Sequence, residues 1–199
     1  MAQGSDWGAY FDAELAEHQA VTGASASLRG QFVRLVEISQ RCIDSGGKLL
    51  LFGNGGSAAD AQHLATEMTV RYRVDRRALA AIALTTDSSA LTAIGNDLGF
   101  EHIFARQIEA LGRAGDLALG ISTSGRSANV VAGLRAAKRL GLGAAALSGG
   151  DGGVLAGLAD PLLLVPSRVT ARIQEMHIML GQMLCGALEA MASNGAKPR

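Results

Sequence analysis

Short apolar segments alternate along the chain with longer segments in which apolar residues recur at helical spacing. The predicted strands are residues 48–52, 80–84, 117–121, 143–147 and 161–165. Helical patterns cover residues 58–70, a stretch ending at 94, 101–111, 128–140, 154–158 and 170–191. Gly95-Asn96-Asp97 is expected to separate the helix that ends at 94 from the helix over 101–111. Continuous apolar strands alternating with helices indicate a parallel sheet covered on both faces. We therefore predict an α/β fold, a three-layer αβα sandwich with a five-stranded parallel sheet.

A helical hairpin is predicted ahead of the first strand. Trp7, Phe11 and Leu15 recur at helical spacing, Gly23 is expected to end the first helix, and a second amphipathic helix follows. The hairpin can pack on its own sheet or on a partner subunit, and the pattern leaves both open. The predicted organisation is a single domain over 1–199, with 1–45 as the packing or oligomerisation hairpin and 46–192 as the αβα core.

Charge and hydropathy argue against nucleic-acid and membrane partners. Eighteen basic and eighteen acidic residues cancel, and the sequence pI is near 6.9. No apolar stretch approaches the ~20 residues of a membrane span, and the first residues lack a secretory pattern, so a soluble cytoplasmic protein is expected. Cys42 and Cys185 lie in apolar helical patterns and are expected to be buried free thiols.

A hydroxyl-rich turn between the third strand and its helix predicts an anion site. The turn contains Ser122, Thr123, Ser124 and Ser127, with Gly125 and Arg126 between them. A helix N-terminus offers free backbone N–H groups and a favourable dipole for a phosphate. One serine would be enough to cap the helix, so four hydroxyls in six residues favour phosphate binding over capping alone.

A second candidate begins at the glycine-rich turn after the first strand, Gly53-Asn54-Gly55-Gly56-Ser57. Such a turn allows close approach of a ligand to the backbone, but the sequence does not match a dinucleotide-binding fingerprint. In the helix that follows, His63 and Glu67 are four residues apart and share one face. The pair can bind a metal, act as acid and base, or be an ordinary exposed pair, and function is favoured because of the adjacent turn.

Polar side chains also interrupt the apolar final helix, at Gln174, Glu175, His177 and Gln182. Buried polar groups need partners, so some of these should face a pocket or an interface, whereas His177 is expected to be a hydrogen-bonded core residue. A basic cluster follows the His63/Glu67 helix. One of its members is expected to face a phosphate or sugar and the rest to be solvated; they are Arg71, Arg73, Arg76 and Arg77.

Taken together, the blocks GNGGSAADAQH, AIGND, GISTSG with the following SANV, and ARIQEMH resemble the sugar isomerase (SIS) domain family. More narrowly they resemble the phosphoheptose isomerases, over roughly residues 46–191. The resemblance implies a flavodoxin-like fold, a homotetramer with active sites at subunit interfaces, and conversion of sedoheptulose 7-phosphate into glycero-manno-heptose 7-phosphate for surface polysaccharide. The implied substrate-binding residues are Asn54, Gly55, Gly56, Ser57, Arg71, Asn96, Asp97, Ser122, Thr123, Ser124, Ser127 and Gln174.

The resemblance also implies an acid/base carboxylate, Glu67, and a zinc site with His63, Glu67 and Gln174 as ligands. The fourth ligand and second acid/base in the family is usually a histidine, which is Gln182 here. Glutamine cannot titrate, and its amide oxygen binds zinc more weakly than imidazole. A weaker zinc site is therefore expected. Two alternatives to an active isomerase remain open, a non-catalytic relative of the DnaA initiator-associating type and a sugar-phosphate sensor.

Overall fold

The polypeptide builds one parallel sheet with helices on both faces in this computed structural model, which describes residues 6–194. Residues 1–5 and 195–199, which the single-domain prediction includes, lie outside the described part. The helices are α1 (Trp7–Ala24), α2 (Arg29–Asp44), α3 (Gly56–Thr69), α4 (Ser88–Asp97), α5 (Ile103–Leu111), α6 (Ala128–Arg139) and α7 (Thr170–Asn194). The strands are β1 (Leu49–Gly53), β2 (Ala81–Ala83), β3 (Leu117–Ser122), β4 (Gly143–Gly149) and β5 (Leu162–Val165). Short 3₁₀ helices span Ser25–Leu28, Phe100–His102 and Gly153–Gly157.

The strand order is β2-β1-β3-β4-β5, with every neighbouring pair parallel. This is the flavodoxin-like order, in which the chain reverses direction across the sheet between β1 and β3. The α/β prediction is confirmed, including all five strands. Ligands of such sheets bind at the carboxyl ends of the strands near that reversal, which is where the two candidate turns lie.

Successive residues of β1 face opposite cores, which explains its unbroken apolar sequence. Leu49 and Leu51 pack in a core with α2, α3 and α7, whereas Leu50 and Phe52 pack in a second core with α5 and α6. Each core is continuous, so the sheet is the middle of three layers. The predicted αβα sandwich is confirmed.

Helices α3 and α7 approach each other closely because α7 has a glycine at their contact. A Cβ on Gly181 would lie 2.5 Å from Leu64 Cδ1, a separation that packed atoms do not adopt. Both helices carry candidate site residues, so this close contact brings His63 and Gln182 within reach of each other.

Two predicted helix boundaries were wrong. Gly23 lies inside α1, which continues to Ala24, and α4 continues through Gly95, Asn96 and Asp97. A single glycine costs a helix only about 1 kcal/mol, which tertiary packing outweighs. The turn after α4 falls instead at Gly99, whose φ of 101° favours glycine.

The apolar face of α1 is largely uncovered. Trp7 and Phe11 are 72% and 64% exposed, and Tyr10 and Leu15 are exposed as well. Cys42 and Cys185 are buried free thiols, as predicted. Within residues 6–194, helix length and hydropathy together give no segment suited to crossing a membrane.

Candidate active site

The hydroxyl-rich turn closes between β3 and α6. Ser122 ends the strand, Ser127 is at the N-cap position of α6 without a capping side-chain hydrogen bond, and their hydroxyl oxygens lie 3.1 Å apart. Gly125 has a φ of 63°, so the turn requires glycine there. Thr123 is half-buried and Ser124 is exposed, and the Ser124 hydroxyl accepts a hydrogen bond from the Arg126 backbone N–H at 3.2 Å. The predicted turn between a strand and a helix is present, with its hydroxyls gathered around a helix N-terminus.

Arg126 does not add free positive charge to this turn. Its guanidinium donates two hydrogen bonds to the Asp151 carboxylate, at 3.0 and 2.7 Å, and a third to the Ser124 carbonyl oxygen at 3.1 Å. The hydrogen bonds from Arg126 and from the Gly153 N–H lower the pKa of Asp151 to about 2. The charge of Arg126, in the hydroxyl-rich turn, is therefore offset by the charge of Asp151, on the loop after β4.

The glycine-rich turn after β1 is joined to the first turn of α6 by a pair of amides. Asn54 and Asn129 exchange two side-chain hydrogen bonds, both 2.8 Å long. Gly55 has a φ of 54°. The Gln174 side-chain amide packs against Gly56 and fills the space that a larger side chain would need, since a Cβ on Gly56 would lie 2.6 Å from Gln174 Nε2. The turn thus brings Asn54 and Gln174 to the same edge of the sheet.

His63, Glu67 and Gln182 meet along the contact between α3 and α7. The His63 Nε2 atom lies 3.4 Å from Glu67 Oε1 and 3.3 Å from Gln182 Nε2. Glu67 and Gln182 are half-buried and His63 is exposed. The predicted His63/Glu67 pairing is confirmed, and Gln182 occupies the position facing the imidazole.

Asp60 lies one turn before His63 on α3, a position that the sequence analysis passed over. Its Oδ2 atom is buried and has no hydrogen-bond partner among the described residues. Burial raises the pKa of Asp60, and the nearby His63 opposes that rise. Helical spacing puts its side chain on the same side of α3 as His63 and Glu67.

Three predicted site residues are not joined to this assembly within residues 6–194. Asn96 and Asp97 are exposed in the last turn of α4 and hydrogen-bond each other at 2.7 Å. Arg71 is exposed in the loop after α3. These residues are accessible, and no described hydrogen bond ties them to the other candidates.

The expectation that the basic cluster was solvated apart from one ligand residue was wrong for Arg76. Its side chain is 1% exposed, with Nε 3.7 Å from Glu189 Oε2 and Nη2 2.7 Å from the Glu67 carbonyl oxygen. A buried guanidinium needs a carboxylate partner, and Glu189 is distant in sequence, so the cluster alone gave no sign of this pairing.

His177 is a core residue, as predicted. It is fully buried, its Nε2 lies 3.1 Å from the Ser148 carbonyl oxygen, and burial lowers its pKa to about 4 against the effect of that hydrogen bond. The Ser148 hydroxyl in turn donates to the Ser122 carbonyl oxygen at 2.8 Å. The core of α7 is thereby connected to the start of the hydroxyl-rich turn through Ser148, which sequence reasoning missed.

Residues 15–149 match the sequence profile of the SIS domain, and that span is more than half of the chain. The chain belongs to the SIS-domain family.

Three proteins to which the chain is similar, two by sequence and one by solved structure, are phosphoheptose isomerases. The phosphoheptose isomerase of Paramagnetospirillum magneticum is 60% identical over 190 residues, covering 92% of this chain and 96% of that protein. Phosphoheptose isomerase 1 of Campylobacter jejuni is 53% identical over 176 residues, covering 88% and 95%. The solved phosphoheptose isomerase of Neisseria gonorrhoeae superposes with a TM-score of 0.87 at 46% identity, covering 92% of this chain and 99% of that one. The implied fold and family are confirmed.

Proposed function

We propose that this protein interconverts sedoheptulose 7-phosphate and D-glycero-D-manno-heptose 7-phosphate through an enediolate. The observation that carries the proposal is the half-buried Glu67 carboxylate on the helix after the glycine-rich turn, paired with His63, which in turn lies 3.3 Å from Gln182 of α7. The identity of 60% to a phosphoheptose isomerase over nearly the whole chain supports the same reaction.

The hydroxyl-rich turn is the proposed anchor for the 7-phosphate. The hydroxyls of Ser122, Thr123, Ser124 and Ser127, with the N-terminal N–H groups of α6, suit a dianion. Binding energy from this remote group fixes the reacting carbons in place, which lowers the entropic part of the barrier. Asn54, held by Asn129, and Gln174, packed against Gly56, are the proposed contacts for the sugar hydroxyls.

Glu67 is the proposed base for the carbon proton. Its carboxylate removes a proton from C1 of the ketose as the C2 carbonyl becomes an enediolate oxygen, and returns a proton to C2 to give the aldose. The imidazole of His63, whose Nε2 lies 3.4 Å from Glu67 Oε1, helps to hold the carboxylate in place. One carboxylate is sufficient because the two carbons are adjacent.

Gln182 is the proposed partner for the sugar oxygens rather than an acid. Its amide lies 3.3 Å from His63 Nε2 and can donate to one oxygen and accept from another. Because an amide does not titrate near neutral pH and cannot act as the acid or base, the proton that moves from O1 to O2 travels through water or directly between the oxygens.

The donor set at the same place fits a divalent metal weakly. His63 and Glu67 would supply one nitrogen and one carboxylate oxygen, and Gln174 and Gln182 only amide oxygens. No cluster of three or more His, Cys, Asp or Glu side chains suited to a metal occurs among residues 6–194. Zinc, when bound, would polarise the substrate carbonyl and stabilise the enediolate.

Assembly into a homotetramer is proposed from the uncovered apolar face of α1. Trp7 and Phe11 lie together and expose more apolar surface than the single exposed apolar residues common on monomers, and a second copy of the chain would bury them. A neighbouring subunit is also the proposed source of contacts for Arg71, Asn96 and Asp97, which stand apart from the site within one chain. A cytoplasmic role in activated-heptose and surface polysaccharide synthesis follows from the reaction.

Turnover of sedoheptulose 7-phosphate by purified protein, with and without zinc or chelator, tests the proposal. The wild type is expected to form the aldose heptose phosphate, and Glu67→Gln to lose at least about 100-fold in kcat, the contribution typical of a general base. Glu37→Gln, on the exposed face of α2, is the matched control and should retain wild-type activity. Absence of turnover under every metal condition would instead favour a non-catalytic or sensing protein, with initiator binding as the assay for the former.

A further inference from the structure

A cavity of about 330 Å³ opens beside the hydroxyl-rich turn. Thr123 and Ser124 form one wall, and the loop after β4 forms the second. The third wall consists of Arg168 and the first turn of α7, including Thr170. A phosphate held by the turn hydroxyls would therefore be bordered by Arg168.

Two arginines line this cavity, and only one has its charge available. Arg126 is engaged by Asp151 through two hydrogen bonds and by the Ser124 carbonyl oxygen through a third. Arg168 is exposed, and within residues 6–194 its side chain takes part in no hydrogen bond or salt bridge. The net charge of the lining side chains is thus the charge of Arg168.

The backbone around Arg168 favours an anion in the same place. Arg168 lies just before α7, a 25-residue helix whose first turn borders the cavity. The positive end of that helix dipole adds to the field of the guanidinium. Arg168 is also held on a defined segment, because the N–H of the next residue, Val169, donates to the Ser167 hydroxyl at 3.1 Å.

We propose that Arg168 is the cationic residue that binds the phosphate of the substrate, in the cavity that it lines together with Thr123 and Ser124. This inference rests on the proposed function and adds a residue that neither the motif resemblance nor the basic cluster after α3 indicated. A guanidinium can donate two parallel hydrogen bonds to a phosphate, whereas hydroxyls alone provide no counter-charge for a dianion. Arg126 stays paired with Asp151, and its role is to stabilise the conformation of the turn.

Inorganic phosphate provides a probe that does not depend on turnover. Its binding to the purified wild type and to Arg168→Ala is measured by calorimetry, and the KM for sedoheptulose 7-phosphate is measured in parallel. Arg168→Ala is expected to weaken phosphate binding and raise KM by about tenfold or more, the loss typical of a hydrogen bond to a charged group. Arg168→Lys should give an intermediate phosphate affinity and KM, since lysine keeps the positive charge but lacks the two parallel donors of a guanidinium.

Two further arginine variants make the result specific. Arg135→Ala, on the exposed surface of α6, is the matched control and should bind phosphate as the wild type does. Arg126→Ala should weaken binding less than Arg168→Ala. Wild-type phosphate affinity in Arg168→Ala, or a larger loss in Arg126→Ala, would overturn the assignment while leaving the isomerase proposal intact. A wild type that binds no inorganic phosphate would overturn the assignment as well, while turnover of sedoheptulose 7-phosphate tests the proposed function separately.

Discussion

The Glu189 carboxylate holds the loop after α3 in place, and its removal should destabilise the protein strongly. It is 3% exposed and accepts hydrogen bonds from the backbone N–H groups of Tyr72 and Arg73, both 2.7 Å, and of Val74, 3.0 Å. Burial alone would raise the pKa of Glu189, and these three N–H groups outweigh it and hold the pKa below its ordinary value. The buried Arg76 guanidinium lies beside the same carboxylate.

Glu189→Gln replaces one acceptor oxygen by an NH₂ group that faces backbone donors, and it leaves the Arg76 charge buried without a counter-ion. Breaking a buried ion pair from one side costs about 3–5 kcal/mol, so we expect the free energy of unfolding to fall by about 3 kcal/mol or more. Arg76 also donates to the Glu67 carbonyl oxygen, so kcat should fall as the end of α3 loosens.

Urea unfolding followed by circular dichroism, at one fixed protein concentration, measures this change. Glu37→Gln makes the same substitution at an exposed site and should shift the unfolding free energy by less than about 0.5 kcal/mol. A loss below about 1 kcal/mol for Glu189→Gln would refute the reasoning, because it would mean that solvent or a rearranged side chain replaces the three hydrogen bonds and the counter-charge.

Three further predictions concern the site and the core. Gln182→His should raise zinc affinity by about tenfold at least, measured by competition with a chelator, and unchanged affinity would exclude position 182 as a ligand. Burial lowers the pKa of His177 to about 4, so as the pH falls the histidine takes up a proton in the unfolded chain before it does so in the folded protein. The free energy of unfolding, measured in urea, should therefore fall by up to about 1.4 kcal/mol per pH unit between pH 6.5 and 4. His177→Gln should flatten that slope, and an equally steep slope would assign it to other groups. Gly56→Ala should displace the Gln174 amide and raise KM with little loss of thermal stability, whereas Gly157→Ala, where a Cβ meets nothing within 4 Å, should leave both unchanged.

Local patterns were sufficient to predict the elements that form the sheet. The unbroken apolar run of β1 follows from burial on both faces, and the hydroxyl-rich turn follows from a strand that leads directly into a helix. His63 and Glu67 were paired correctly because helical spacing fixes their relation. Helix ends were less predictable, since Gly23 and Gly95 are tolerated within helices that are stabilised by packing elsewhere.

The contacts that complete the site depend on pairs distant in sequence, which no local pattern reveals. Asn54 and Asn129 are 75 residues apart, and Arg126 and Asp151 are 25 apart. The sequence also does not show which arginines are paired with a carboxylate in the fold and which are not. Arg126 lies within the hydroxyl-rich turn, and Asp151 on the loop after β4 offsets its charge. Arg168, the arginine whose charge remains, lies in no recognisable motif.

The proton transfer assigned to Glu67 is tested most directly by isomerisation in D₂O. Sedoheptulose 7-phosphate is incubated with the wild type, and the aldose product is analysed by mass spectrometry and NMR for deuterium at C2. A carboxylate base exchanges its proton with solvent between removal and return, so the product should carry deuterium at C2, and Glu67→Gln should form almost none of it. Aldose formed without deuterium at C2, or formed at the wild-type rate by Glu67→Gln, would contradict the account.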